Sequence, residues 1–163
     1  MSSVNVKVKK LRDSAKIPAY QSAGAAGVDL HACYRNATEF EQHKRLYPGE
    51  FRVYWTGIAI ELPEGWEAQI RPRSGLAAKH GISVVNTPGT VDADYRGEIG
   101  ITLINHSEVP LDIFEGDRIA QMVIKEVPKV TFEEVETLSQ TERGDGGMGS
   151  TGGSKALIGA KVR

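Results

Sequence analysis

Short apolar segments with a period of two are the feature that most constrains the fold of this chain. Valines alternate with polar residues over 4–8, and isoleucine and leucine do the same over 99–103. Such alternation is typical of half-buried β-strands, because side chains two residues apart lie on the same face of a strand. Further candidate strands, bounded by Pro-Gly pairs and other turn signals, lie at 28–32, 51–62, 66–71, 82–85, 111–114, 119–127 and 131–136.

Helical character is confined to one short segment. Residues 74–80 include Leu76, Ala77 and Ala78, and Gly81 follows where a C-terminal cap is expected. Many short strands, frequent turns and 18 glycines in 163 residues favour a β architecture. The sequence therefore predicts an all-β sandwich or barrel with one short helix at 74–80.

The composition changes after Pro128. Six of the eleven residues from Arg143 to Gly153 are glycine, and such a segment cannot bury enough apolar surface to order by itself. It is either a disordered tail or a lid that orders on a ligand, because glycine-rich backbone can bring N–H groups close to phosphate oxygens. We expect a β-barrel domain over residues 1–136 and a flexible C-terminal arm over 137–163.

Charge, cysteine content and hydropathy exclude several classes of protein. With 20 Lys and Arg against 21 Asp and Glu the net charge is −1, which argues against stable nucleic-acid binding through a broad basic surface. The single cysteine, Cys33, can form neither an internal disulfide nor a multi-cysteine zinc site. There is no apolar signal segment at the start and no run of ~18 apolar residues that could cross a membrane. We therefore expect a cytoplasmic protein with no membrane partner.

The most informative segment for function is 86–100, NTPGTVDADYRGEIG, where a Pro-Gly turn precedes a polar hairpin. Polar groups gathered at a turn on a β scaffold suggest a site, and a solvated hairpin tip is the alternative. If the segment is extended, Asp92 and Asp94 share one strand face. A carboxylate such as Asp92 is ionised at neutral pH, so it can deprotonate a water molecule or hold a metal.

Three further clusters carry polar residues beside turns. The arginines of 71–73 precede Ser74, whose hydroxyl either caps the helix or joins the arginines and the helix N–H groups in binding an oxyanion. Asp29 follows a glycine-flanked turn and either serves a site or satisfies nearby backbone N–H groups. Asp117 and Arg118 either belong to a site or form a simple surface pair. None of these clusters is specific by itself.

In combination and in order, five segments resemble the five motifs of the trimeric dUTPase family, the deoxyuridine triphosphate nucleotidohydrolases, over residues 4–152. The segments are Ala26–Leu30, Pro72–Leu76, Gly89–Glu98, Gly116–Gln121 and Arg143–Gly152. The resemblance implies an all-β, jelly-roll-like β-barrel or sandwich that forms a homotrimer with shared active sites, in which the flexible glycine-rich tail carries the fifth motif at 143–152. It also implies Mg²⁺-assisted hydrolysis of dUTP to dUMP and pyrophosphate, which keeps uracil out of DNA and supplies dUMP for thymidylate synthesis.

The resemblance also assigns roles to individual residues. Asp92 would activate the water that attacks the α-phosphorus, and Tyr95 would press against the deoxyribose where a ribose 2′-hydroxyl would clash. Asp29 would contact Mg²⁺ only through water. The uracil edge is assigned to Asn86 with main-chain groups around Thr90, Val91 and Gly100. The phosphate chain is assigned to Arg73, Ser74, Gly75, Gln121, Arg143, Ser150 and Thr151, and Gly149 is assigned to substrate binding.

The fifth motif departs from the family pattern at Met148, where the family usually has a phenylalanine that stacks on the uracil. A thioether contact with a ring is worth ~0.3–1.5 kcal/mol but is less rigid than a stacked ring. We therefore expect Met148→Phe to lower the KM for dUTP, measured by steady-state pyrophosphate release. An unchanged or higher KM would contradict this assignment of Met148.

Two other functions are weighed against dUTP hydrolysis. A dCTP deaminase-like enzyme has a related fold and trimeric build, but it needs a general acid and base at the pyrimidine edge, whereas the acidic third motif suits attack on a phosphate. A non-catalytic dUTP-binding regulatory trimer is the other candidate. The presence of Asp92, Arg73 and Arg143 argues against loss of catalysis.

Overall fold

The computed structural model describes residues 3–147, and within that range it contains eleven β-strands and two short α-helices. In chain order the elements are β1 (Lys7–Lys10), β2 (Val28–His31), α1 (Ala37–His43), β3 (Arg45–Leu46), β4 (Phe51–Trp55), β5 (Ile58–Glu61), β6 (Trp66–Arg71), α2 (Ser74–His80), β7 (Ile82–Val84), β8 (Gly89–Val91), β9 (Gly100–Asn105), β10 (Leu111–Asp112) and β11 (Arg118–Glu126). The fold is mostly β, as the sequence predicts.

All the strand pairs are antiparallel. A four-stranded sheet has the order β2-β11-β6-β8, a three-stranded sheet has the order β4-β9-β7, and β1 with β5 and β3 with β10 form separate pairs. Buried side chains from both larger sheets belong to one core cluster, in which Leu30 of β2, Tyr54 of β4 and Ile101 of β9 are each 1% exposed. Burial of each such side chain contributes about 1.5–3 kcal/mol relative to its exposure to water.

Several predicted strands are confirmed, and one long prediction divides in two. The strand at 66–71 has the predicted bounds, and 119–127 corresponds to β11 with a shift of one residue. The 51–62 segment is interrupted at Thr56–Gly57, between β4 and β5. Gly57 has φ +69, and a β-carbon there would lie 2.6 Å from the sulfur of Cys33, so the chain turns where only glycine fits.

The prediction of a single helix is wrong, because α1 is present as well as α2. The Asn36 side chain accepts a hydrogen bond from the Glu39 backbone N–H at 2.9 Å, and the Glu39 carboxylate accepts from the backbone N–H of Arg35. Phe40 packs edge-on against Tyr34 with ring centroids 5.2 Å apart. This reciprocal capping resembles a capping box, and Asn36-x-x-Glu39 is the sequence signal that identifies it.

The strand predicted at 131–136 is also wrong. These residues form no strand, and Phe132 is 96% exposed. Alternation of apolar and polar residues is not sufficient for a strand, since a strand also needs a hydrogen-bonded neighbour and a surface to cover. The sequence does not predict the two-residue β3 or the three-residue β8.

Residue contacts divide the chain into two units, Met1–Lys129 and Val130–Arg163, and the first holds all the strands and helices described above. The boundary at residue 136 stays a prediction. Within residues 3–147, no helix is long and apolar enough to span a membrane. The cytoplasmic location likewise stays a prediction.

The outer face of the three-stranded sheet is apolar and exposed. Phe51 of β4 is 65% exposed, Val53 is 38% exposed and Val85, just beyond β7, is 49% exposed. Residues directly opposite one another in a sheet lie on the same face, so Ile104, opposite Phe51, extends this surface. We call Phe51, Val53, Val85 and Ile104 the outer apolar face.

Candidate functional site

Three of the predicted motifs meet in register on the four-stranded sheet. Asp29 of β2 lies opposite Gln121 of β11, and Gln121 lies opposite Arg71 at the end of β6. Arg73 lies two residues after Arg71, and α2 begins at the next residue, Ser74. The sheet order β2-β11-β6 therefore brings together side chains that are up to 92 positions apart in the chain.

The Asp29 carboxylate is held between two arginines. Asp29 is 8% exposed, Arg73 donates from Nε to Oδ1 at 2.9 Å, and Arg118 donates from Nη1 to Oδ2 at 3.1 Å. Arg73 also donates to the backbone carbonyl of Arg118 at 3.1 Å. The partners of this carboxylate are thus side-chain cations rather than backbone N–H groups. Two positive charges against one negative charge leave this cluster suited to an anion.

The adjacent residues Asp117 and Arg118 do not pair with each other. The carboxylate of Asp117 accepts from the backbone N–H of Phe114 at 2.8 Å, while Arg118 reaches Asp29. The interpretation of the two as a surface pair is therefore wrong. Arg118 therefore belongs to the cluster, although the family resemblance assigns it no role.

Helix α2 begins beside the Asp29 cluster. Arg73 is the N-cap residue and makes no side-chain capping bond, so the interpretation of Ser74 as the cap is wrong. Ser74 and Gly75 are exposed, and a β-carbon at Gly75 would meet no atom within 4 Å. The first turn of α2 therefore presents its backbone N–H groups and the Ser74 hydroxyl at an open surface next to Arg73.

Gln121 is fixed on the same side of the sheet. Its Nε2 donates to the carbonyl of Pro72 at 2.9 Å. Its Oε1 would lie 2.8 Å from a β-carbon at Gly27, so any larger residue at position 27 would displace the amide. Gly27, two residues before Asp29, therefore has a packing role beside the site, because the absence of a side chain leaves room for the Gln121 amide.

The prediction of a β-hairpin at 86–100 is wrong, because β8 is an edge strand of this sheet and β9 belongs to the three-stranded sheet. We keep the name hairpin for this segment, in which a turn follows β8. β8 pairs with β6, with Gly89 opposite Ile70 and Val91 opposite Ala68. Asp92 follows β8 and is exposed, and the N–H of Tyr95 donates to the Asp92 carbonyl at 3.1 Å. The expectation that Asp92 and Asp94 share a strand face is wrong, because Ala93 and Asp94 form a turn.

The other predicted residues lie in the turn before β8, in β8 itself and at the first residue of β9. Asn86 and Thr90 are exposed, whereas the Val91 side chain is buried, so only backbone groups of Val91 are available to a ligand. Gly89 packs under Asn86, whose Nδ2 would lie 3.3 Å from a β-carbon there. Gly100, the first residue of β9, leaves room for the Trp55 ring, which a β-carbon would approach to 2.9 Å.

The described hydrogen bonds and ion pairs join Asp29, Arg73 and Arg118, and within residues 3–147 none of them joins Asp92 or Tyr95 to that cluster. The two groups of predicted site residues are therefore separate networks in one chain.

His31 lies next to the Asp29 cluster. Its Nδ1 is buried and has no hydrogen-bond partner within the described part of the chain. Burial lowers the pKa of His31, and the nearby cations of Lys16, Arg118 and Arg73 lower it further, while Asp29 acts in the opposite direction. His31 is therefore a neutral packing residue at neutral pH.

In the second unit, Arg143 begins a closed turn. Its Nε donates to the carbonyl of Gly146 at 2.8 Å, and the N–H of Gly144 donates to the carbonyl of Thr141 at 3.1 Å. Gly144 has φ +53, a conformation that side chains disfavour. The predicted residues Met148, Gly149, Ser150 and Thr151, and the extension at 154–163, lie outside the described residues.

Comparison with known proteins gives one consistent result. The profile of the dUTPase family matches residues 13–152. Deoxyuridine 5'-triphosphate nucleotidohydrolases of Maricaulis maris and Clostridium tetani are 54% and 52% identical, over 93% of this chain and 99% of theirs. The structure of Staphylococcus bacteriophage 80alpha dUTPase with dUpNHpp is similar at a TM-score of 0.79 and 28% identity, over 91% of this chain and 98% of that one. With its motifs in the expected order on the observed fold, the chain belongs to the dUTPase family.

Proposed function

We propose that this protein hydrolyses dUTP to dUMP and pyrophosphate. The carrying observation is that relatives more than half identical to it over nearly their whole length are deoxyuridine 5'-triphosphate nucleotidohydrolases. The geometry supports the same conclusion, because a cationic cluster beside an open helix N-terminus suits a phosphate chain and an exposed carboxylate on a separate hairpin suits water activation. Consumption of dUTP keeps uracil out of DNA, and the dUMP formed supplies thymidylate synthesis.

The phosphate chain of the substrate binds at the Asp29 cluster in this proposal. Arg73, Ser74 and Gly75 supply a guanidinium, a hydroxyl and helix N–H groups, and Gln121 lies beside them. Asp29 holds Arg73 in place, so less side-chain entropy is lost when the anion binds. The arm residues Arg143, Gly149, Ser150 and Thr151 close over the γ-phosphate, and Met148 contacts the base.

The nucleoside binds at the hairpin. Asn86 and backbone groups of Thr90, Val91 and Gly100 read the uracil edge, and the exposed Tyr95 ring packs against the deoxyribose. A ribose 2′-hydroxyl would collide with this ring, which gives specificity by exclusion. The amino group of cytosine would face donors where uracil offers an acceptor carbonyl, and mismatched polar edges discriminate strongly.

Asp92 acts as the general base. It removes a proton from a water molecule as the water oxygen attacks the α-phosphorus. The bond from the α-phosphorus to the oxygen that bridges to the β-phosphorus breaks, and pyrophosphate leaves with that oxygen. Arg73 stabilises charge on the phosphate oxygens, and positioning supplies much of the remaining acceleration.

The residues present fit Mg²⁺ that is held mainly by the substrate. Both Asp29 oxygens already accept from arginines, and residues 3–147 contain no group of three carboxylates, histidines or cysteines arranged around a metal. Mg²⁺ usually keeps several waters and binds through one or two carboxylates and substrate phosphates. Asp29 would therefore hold it only through water, and the ion would supply neutralisation of phosphate charge.

The protomer is jelly-roll-like in this proposal and forms a homotrimer whose active sites combine residues of different chains. Two observations support the assembly: the separation of the Asp92 hairpin from the Asp29 cluster, and the outer apolar face of Phe51, Val53, Val85 and Ile104. Exposed apolar surfaces of this kind mark protein interfaces. Residues 137–163 act as an arm that carries the fifth motif at 143–152 to a shared site.

The test is pyrophosphate release from dUTP, dTTP, dCTP and UTP in separate reactions with Mg²⁺, with ammonia followed in the dCTP reaction. We expect pyrophosphate from dUTP alone. Ammonia from dCTP would instead show a deaminase. Binding of dUTP without any product would show a non-catalytic regulatory trimer.

A further inference from the structure

Glu98 ends the loop that carries Asp92 and Tyr95, and its carboxylate lies inside the fold. The side chain is 12% exposed, and Arg12, itself 19% exposed, donates to it from both terminal guanidinium nitrogens, with Nη1 3.2 Å from Oε2. The backbone N–H of Gly57 donates to Oε1 at 2.8 Å, and Arg35 lies 3.8 Å from Oε2. One carboxylate thus ties the loop to three distant parts of the chain.

Tyr95 is attached to the same residue. Its hydroxyl donates to the backbone carbonyl of Glu98 at 2.9 Å. Its ring lies against Gly97, where a β-carbon would be 2.6 Å from Cζ of the ring. The tyrosine is 44% exposed, so one side of the ring is fixed by the loop and the other is free for a ligand.

The residue after Glu98 is anchored independently. The Ile99 N–H donates to the Ile58 carbonyl at 3.0 Å, and the Ile99 carbonyl accepts from both the N–H and the hydroxyl of Thr56. Glu98 therefore connects the loop to Ile99 and β9, which are held in place by their own hydrogen bonds. A shift of its carbonyl would move the Tyr95 hydroxyl and tilt the ring.

We propose that the Arg12–Glu98–Gly57 contact is a positioning device that holds the Tyr95 ring where it excludes a ribose 2′-hydroxyl. The proposal rests on the proposed function, which places Tyr95 against the deoxyribose. Exclusion by contact works only if the excluding group cannot retreat, and its precision depends on the residues that support it. The side chains of Arg12 and Glu98 are 19% and 12% exposed and face each other, so in this proposal they act on specificity through Tyr95.

The experiment compares Glu98→Leu, Glu98→Gln and Arg12→Met with the full-length wild type, using kcat and KM for dUTP and UTP. We expect the ratio of kcat/KM for dUTP to that for UTP to fall about tenfold in Glu98→Leu and Arg12→Met, mainly through a gain with UTP. Glu98→Gln keeps an acceptor for the Gly57 N–H, so the ratio should fall less in this variant. The kcat for dUTP should change by less than about twofold, since Asp92 follows directly on β8 and is held by the pairing of that strand with β6 rather than by Glu98.

Arg45→Met is the matched control. It removes a bidentate ion pair to Asp112, with contacts of 2.6 and 2.7 Å, that lies outside the 92–98 loop. We expect it to leave the substrate ratio unchanged. Circular dichroism and sedimentation of every variant would establish fold and assembly, and if Glu98→Leu fails to fold, Glu98→Gln and Arg12→Met carry the test.

An unchanged ratio in folded Arg12→Met and Glu98→Gln would overturn the proposal. Equal losses with both substrates would also overturn it, because they would reveal a merely structural contact. Failure of the proposed function is separately visible, since the wild type itself would then release no pyrophosphate from dUTP.

Discussion

Asp92→Asn should abolish turnover of dUTP while leaving assembly and nucleotide binding intact. The side chain is exposed directly after β8, and the asparagine amide has nearly the same size, so the exchange leaves packing unchanged. The amide cannot accept the proton of the attacking water. Loss of a general base costs ~10²–10⁴-fold in rate, so kcat for pyrophosphate release should fall by ~100-fold or more.

The neighbouring carboxylate offers a matched control for this prediction. Asp94 lies two residues on in the same turn and is also exposed. Asp94→Asn should keep most of the activity, and titration calorimetry with dUpNHpp should give similar affinities for both variants and the wild type. Retained turnover in Asp92→Asn would remove Asp92 from the role of base, and loss of affinity would instead assign it to binding.

The sequence predicted the local elements well where two signals agreed. The strand at 66–71 combines alternating residues with a turn before it and Pro72 after it, and its bounds are those observed. The helix α1 was missed because Phe40 alone gives no helical periodicity, so only the capping pair of Asn36 and Glu39 identifies it. Alternation and turn residues therefore predict most of the strands, whereas the first helix is identified only by its capping residues.

The contacts of the site could not be predicted in the same way. The motifs supplied the residue types, but the pairing of Asp29 with Gln121 depends on the register between strands that are distant in sequence. Asp117 lies in the turn before β11, where its carboxylate accepts from the Phe114 N–H, whereas Arg118 is the first residue of β11 and reaches Asp29 of the neighbouring β2. Sequence adjacency suggested the wrong partner, and the pairing of β11 with β2 supplies the observed one.

Val53→Asp should dissociate the proposed trimer and with it most of the activity. Val53 lies on the outer apolar face opposite Thr102 of β9 and beside Phe51 and Val85. An unpaired carboxylate buried in an interface would have to give up its hydration, at a cost of several kcal/mol. If the Asp92 hairpin and the Asp29 cluster meet only between chains, the dissociated protomer has no complete site, and kcat/KM for dUTP should fall ~100-fold or more, in line with loss of transition-state positioning.

Val109→Asp provides the control, because Val109 is 66% exposed outside the strands and should tolerate the charge. Analytical ultracentrifugation should show a trimer for the wild type and Val109→Asp, and a protomer for Val53→Asp. A trimeric Val53→Asp would show that this face is not the interface. A folded, active protomer would show that one chain suffices for catalysis. Asp92 and the Asp29 cluster would then have to come together within a single chain, and not between two chains of a trimer.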